Sequence, residues 1–130
     1  MQRLIKVLKA LSDETRLRIL KILQEKDSLC VCEIMQALDI SQTRASRNLG
    51  ILKDAGFVTD RREGVWAHYS INRKKVNEYH HDIMRLLQRW LNDDETIKKD
   101  KERLKKVTRS NSKYRCVKPI IRRGERKWHG

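Results

Sequence analysis

The chain has 130 residues, enough for one compact domain and a tail, and a formal net charge of +14, which points to a polyanionic partner with nucleic acid as first candidate. Five glycines and a single proline argue against an all-β or collagen-like chain and for helices. No apolar run approaches the length of a membrane span, and the N-terminus lacks the charged-then-apolar layout of a secretory signal, so a cytoplasmic protein with no membrane partner is expected. Under reducing conditions its three cysteines read as metal ligands or redox thiols rather than as a disulfide framework.

Leu4, Ile5, Leu8 and Leu11 recur at helical spacing, which predicts a short amphipathic helix over residues 3–11. Ser12 is the predicted cap of a second helix, with Asp13 and Glu14 at the positive end of its dipole and Leu17, Ile19, Leu20, Ile22 and Leu23 in the core. A third helix is predicted over residues 30–38, with Cys30 as cap and Glu33 in the capping-box position. Asp39-Ile40-Ser41 is a tight connection, Ser41 caps a fourth helix over 42–55, and Gly56 terminates it. Two β-rich runs, 57–62 and 66–71, flank Glu63-Gly64-Val65 as a hairpin. A longer helix is predicted over 74–91, its apolar side marked by Val76, Ile83, Leu87, Trp90 and Leu91. One small domain cannot bury that much alone, so this helix and the first are expected to form a homodimer interface. Residues 92–109 are dense in mixed charge and are expected to prolong the helix into solvent, ahead of a flexible basic tail from Ser110.

Two helices joined by a three-residue turn and followed by a hairpin describe a mainly α fold with a β-hairpin wing, a winged helix-turn-helix. In such a motif the second helix lies in the major groove with its N-terminal residues against base edges. Here those residues are Gln42, Thr43, Arg44, Ser46 and Arg47. Glutamine suits adenine and arginine suits guanine through bidentate hydrogen bonds, while the hydroxyls serve base or phosphate. Ala45, Leu49 and Leu52 are left to pack inward. Arg61 and Arg62, in the wing, are expected to reach the minor groove or phosphates of double-stranded operator DNA.

Just ahead of this unit stands Leu29-Cys30-Val31-Cys32-Glu33-Ile34-Met35. Residues two apart in mid-helix point about 200° away from each other and cannot share an ion. At a cap the dihedrals are not helical, so both sulfurs can turn toward one point, and a helix N-terminus favours the metal-binding thiolate.

The Cys-Val-Cys run, Ser41 to Leu49 and Leu52 to Val58 together resemble the ArsR/SmtB metalloregulatory repressors over roughly residues 1–92. The organisation expected is a DNA-binding and dimerisation domain over 1–92 and a basic extension over 93–130. The resemblance implies a dimer that leaves its operator when a thiophilic ion binds Cys30 and Cys32. The chain departs from the family's pattern at two positions. Asn48 stands where many relatives have histidine, which leaves base preference open. Met35 stands where arsenic sensors often have a third cysteine, and a buried methionine is usually packing. A three-thiolate site then needs Cys116, from either subunit. The family's Zn(II) site on the long C-terminal helix looks absent: His80, His81 and Asp82 have no second His-x-x-His/Glu pair after them, and His80 and His81 are expected at the surface or interface. His129 is a remote fourth donor for Cd(II), Pb(II) or Zn(II). Soft thiolates without a nitrogen partner favour As(III) or Sb(III), with Cd(II) or Pb(II) second. A redox or persulfide sensor on the same fold, and a constitutive architectural DNA-binding protein with incidental thiols, are the rival readings. No acid/base pair, nucleophile triad or phosphate loop is present, so an enzyme is not expected.

Overall fold

Leu20, Ile22 and Leu23 of the second helix are fully buried and form the centre on which the other elements pack, in a computed structural model that describes residues 1–74 and 78–108. The order is α1 (Gln2–Leu11), α2 (Glu14–Leu23), β1 (Leu29–Cys30), α3 (Val31–Leu38), α4 (Gln42–Asp54), β2 (Val58–Glu63), β3 (Trp66–Ile71), α5 (Glu78–Arg89) and α6 (Glu95–Leu104). Ile34 and Leu38 from α3, Leu49 and Leu52 from α4, and Phe57 complete the core. The molecule is a winged helix-turn-helix. No helix among the described residues is long and apolar enough to cross a membrane.

Three local details depart from the expected elements. Asp13, not Ser12, caps α2: its carboxylate accepts from Arg16 N at 3.1 Å, while Ser12 Oγ donates back to Leu8 O at 3.1 Å and finishes α1. The wing is three-stranded, with order β1-β3-β2, all antiparallel. Two residues, Leu29 and Cys30, were too short a run to show alternation, yet they pair with Tyr69 and His68 of β3. Finally, His80 is neither a surface nor an interface residue. It is buried, its ring lies against Phe57 at 4.5 Å centroid separation with the planes tilted by 56°, and its Nε2 meets Ala55 O.

The largest departure follows α5. The helix ends at Arg89 rather than running on, because Leu91 adopts a left-handed φ of 67° and Asp94 caps a new helix, accepting from Ile97 N at 3.1 Å. Lys21, buried on α2, locks this corner: its Nζ donates to Leu87 O, Trp90 O and Asn92 Oδ1 at 2.7–2.8 Å. The last carbonyls of a helix lack intrahelical partners and carry its negative dipole end, so an ammonium there is favoured on both counts. The charged segment therefore does not extend into solvent. It turns back as α6 and packs on α3 and α2 through buried Ile97, Asp100 and Leu104.

Asp100 is fully buried between two guanidinium groups. Arg18 holds both of its oxygens at 2.8 Å, and Arg103 donates to Oδ1 at 2.8 Å. The hydrogen bond that Arg18 donates to Asp100 keeps its guanidinium above the ordinary pKa. The same two arginines reach the end of α3, Arg18 to Leu38 O at 2.7 Å and Arg103 Nε to Ala37 O at 2.8 Å. A carboxylate so deeply buried needs such partners, and here they tie three helices together.

Candidate nucleic-acid interface and thiol site

Ser41 starts α4, its Oγ accepting from Arg44 N at 3.1 Å, so the helix begins where the sequence places the DNA-reading residues. Asp39, in the left-handed region at φ 55°, makes the turn from α3 sharp. Gln42, Thr43, Ser46 and Arg47 are exposed along one side, while Ala45, Leu49 and Leu52 are buried on the other. Arg44 is exposed as a residue, but its Nε donates to Thr15 Oγ1 on α2 at 2.9 Å. Asn48 faces inward. It is 2 % exposed, accepts from Arg16 at 2.9 Å and donates to Arg44 O at 2.9 Å. Its side chain braces α4 against α2 and is not presented to a groove.

In the wing, Gly64 takes a φ of 62° at the turn. Arg61 is exposed and paired with Glu63 at 3.1 Å, and Arg62 is half-buried. A solvent-facing pair of this kind is worth at most about 1 kcal/mol, so a phosphate can displace the carboxylate from Arg61.

The cysteines adjoin the same sheet: Cys30 pairs with His68 of β3, which on its other side pairs with Arg61 of β2. Cys30 is both the last residue of β1 and the cap of α3, with extended dihedrals (φ −82°, ψ 164°), and its N–H donates to Glu33 Oε1 at 3.0 Å. That extended residue brings Cys30 and Cys32 to one side. Both are buried, and they form a small cluster with Trp66 apart from the main core. Met35 belongs to the main core instead, as packing would require. Gln36, one turn beyond Cys32, donates from Nε2 to Cys32 Sγ at 3.2 Å. Cys30 keeps its thiol but Cys32 is disulfide-bonded, so one of the two cysteines expected as thiol ligands is oxidised here. A helix N-terminus favours the thiolate of a cysteine once it is reduced. His68 is buried directly across the ladder from Cys30, which puts the two side chains on one face of the sheet.

The chain beyond α6 returns to this place. Gln36 Oε1 accepts from Thr108 N at 3.1 Å, its Nε2 also donates to Thr108 O, and that oxygen is 3.9 Å from Cys32 Sγ. Among the described residues no three His, Cys, Asp or Glu side chains are placed to hold one metal ion. Cys116 and His129 lie outside the described residues, and His81 is exposed on α5. Sequence reading missed the return of α6, the part played by Gln36 and the pairing of Cys30 with His68. A period of buried positions in α6 (Ile97, Asp100, Leu104) was a signal for the first, masked by the surrounding charges.

A helix-turn-helix that bares polar residues on its second helix, braced by a three-stranded wing, defines a DNA-binding transcriptional regulator and not an enzyme. Residues 13–60 match the model of the family described as bacterial regulatory protein, arsR family. The chain is 46% identical over 68 residues to the arsenical resistance operon repressor of Escherichia coli, covering 52% of this chain and 58% of that one. It is 41% identical over 91 residues to the arsenic resistance transcriptional regulator ArsR2 of Pseudomonas putida, covering 68% of this chain and 79% of that one. Among solved structures it resembles a homodimeric winged helix-turn-helix DNA-binding domain from Mycobacterium bovis, a possible ArsR-family transcriptional regulator, with TM-score 0.59, 32% identity, and coverage of 72% and 82%. The chain belongs to the ArsR family of transcriptional repressors.

Proposed function

We propose that the protein is a homodimeric repressor that holds double-stranded operator DNA and, with the Cys32 disulfide reduced, releases it when As(III) or Sb(III) binds cysteine thiolates. One observation carries this reading: Cys30 and Cys32 are gathered at the N-terminus of α3, the first helix of the DNA-reading pair. Gln42, Thr43, Ser46 and Arg47 read base edges, with Arg44 steadied by Thr15, and Arg61 and Arg62 of the wing engage the backbone or minor groove. Asn48 is left out of base contact by its bonds to Arg16 and Arg44.

Three thiolates neutralise a trivalent ion and satisfy its preference for soft donors. Cys116 is the third donor. It follows Thr108 by eight positions, a span of up to about 28 Å in extended chain, and Thr108 already touches the Cys32 sulfur's surroundings. A ligand from the same subunit is therefore within reach. The repressor works in the cytoplasm, where thiols stay reduced. Its dimer is built from the apolar side chains left open on α1 and around the end of α5: Ile5, Leu8, Leu86, Trp90 and Leu91.

The test is fluorescence anisotropy on a duplex selected by this protein from a random-sequence pool, with and without arsenite. Wild type should bind tightly and dissociate on adding arsenite, and Cys32→Ser should bind equally well and stay bound. Normal release of Cys32→Ser by arsenite would sink the mechanism, and a wild type insensitive to arsenite but released by polysulfide would favour the redox reading instead.

A further inference from the structure

Arg16 stands on the first turn of α2, where α1 and α4 meet, and its planar side chain bonds to both of those helices. Its Nε donates to Ala10 O at 2.7 Å and its Nη2 to Lys9 O at 3.3 Å, two carbonyls in the last turn of α1. Its Nη1 donates to Asn48 Oδ1 on α4 at 2.9 Å. Buried Asn48 passes the contact to its own helix by donating from Nδ2 to Arg44 O at 2.9 Å. Arg44 Nε in turn reaches Thr15 Oγ1, beside Arg16, at 2.9 Å. One rigid fork thus joins the end of α1 to the middle of α4. Lys6 and Asp54 link the same two helices at 3.3 Å, but both are exposed, and a pair of that kind adds little.

We propose that Arg16 and Asn48 are positioning residues that fix the reading helix to the dimerisation helix and so set which separation of two operator half-sites the protein accepts; this rests on the reading that α1 and the end of α5 form a homodimer. Ile5 and Leu8 are the open apolar side chains of α1, and Gln42, Thr43, Ser46 and Arg47 are the open polar side chains of α4. In a two-fold dimer the distance and relative rotation of the two α4 helices follow from the geometry between α1 and α4 inside each subunit, counted twice. A duplex repeats about every 34 Å, so inserting two base pairs moves one half-site by about 7 Å and turns it by about 70°. Whether the dimer follows such a move depends on how freely α4 rolls against α1. Burial of Ala45, Leu49 and Leu52 holds α4 close, but apolar attraction is non-directional. The guanidinium is directional, because its N–H groups point in a fixed planar fork. Asn48, turned away from the groove, therefore acts on operator choice without touching a base.

The full chain, in reducing buffer without arsenite, is titrated into three duplexes. These are the selected duplex, the same duplex with two base pairs inserted between its half-sites, and one that carries a single half-site. Wild type should bind the inserted duplex about tenfold or more weakly than the selected one. Asn48→Leu, close to asparagine in size but without its hydrogen bonds, should lower that ratio about fivefold or more. Its affinity for the single half-site and its dimer dissociation constant should stay within about threefold of wild type. Asn48→Asp keeps the acceptor for Arg16 and should keep the ratio within about twofold. A ratio within about twofold of wild type in Asn48→Leu, or a single half-site affinity that falls as far as that for the selected duplex, would overturn the role of Asn48 and leave the proposed function standing. An equally low ratio in Asn48→Asp would overturn the role of Arg16. A wild type that binds the selected and inserted duplexes equally would overturn the reading of a dimer on paired half-sites. Should Asn48→Leu not fold, Arg16→Lys, whose ammonium lacks the fork that holds both helices, is read by the same criteria.

Discussion

Trp90 is 53 % exposed although it lies just past the end of α5, and Leu8 and Leu86 are also open. Such a surface is what a second copy of the chain would cover. A tryptophan carries up to about 250 Å² of surface, so its open half is about 130 Å². At about 25 cal/mol per Å², covering it is worth about 3 kcal/mol. A two-fold interface uses the same patch on both subunits, which doubles the loss on Trp90→Ala to about 6 kcal/mol if burial is complete and about 3 if it is half complete. At 1.4 kcal/mol per decade, the dimer dissociation constant should rise about 100- to 10,000-fold. The fold should survive, because the Trp90 carbonyl, not its ring, accepts from Lys21. Sedimentation velocity over a concentration series measures the shift. The sequence reading put Leu87 in this interface, yet it is 2 % exposed and faces the subunit's own core, with Ile83 packed against it. Leu87→Ala should therefore cost about 2–5 kcal/mol of folding stability. A Trp90→Ala dimer whose dissociation constant stays within threefold of wild type would show that the interface lies elsewhere.

Arg47→Ala and Gln42→Ala should each weaken binding to the selected duplex by about 1–3 kcal/mol and spare random DNA; equal losses on both would argue against base reading by α4. Asn48→Ala should instead lower the thermal midpoint, since it strips the part-buried contacts to Arg16 and the Arg44 carbonyl, and a midpoint unchanged by calorimetry would contradict its bracing role. Cys116→Ser should weaken arsenite binding severalfold and remove one of three sulfurs around arsenic, as X-ray absorption reports; three sulfurs in that variant would exclude Cys116. Asp100→Asn should destabilise the fold by about 3–5 kcal/mol, because it leaves a buried guanidinium without its counter-charge, and urea denaturation giving less than about 1 kcal/mol would mean that the network is solvated in solution.

The helix-turn-helix was readable because its determinants are local. Ser41 and Gly56 bound α4 by cap and left-handed turn, and Leu49 and Leu52 mark its buried side, whatever the rest of the chain does. The pairing of thiols at a cap was readable for the same reason: an extended Cys30 is a property of one residue. The Cys30–His68 pairing was not, because β1 has only two residues and its strand character exists only through β3. Likewise, nothing local distinguishes Asn48 from its exposed neighbours. Its inward position depends on Arg16, a residue 32 positions away.

The misreading of α6 is the most instructive, because its determinants are charged. Segments dense in lysine, arginine and acid ordinarily lie in solvent, and composition alone ranks 92–109 with them. Asp100 is buried nonetheless, since Arg18 supplies from 82 residues away the charge that makes burial tolerable. Only one acid on α6 finds such a partner, and periodicity in a charged helix does not reveal which one. That long-range pair is also what turns a C-terminal extension into part of the DNA-reading unit. Without it, α6 would have only Ile97 and Leu104 to bury, and the stretch between Thr108 and Cys116 would have no fixed starting point beside Cys32. Held by it, Thr108 lies beside the Cys32 sulfur. The proposal that Cys116 supplies a third ligand therefore rests on the Arg18–Asp100 pair as much as on the cysteine itself.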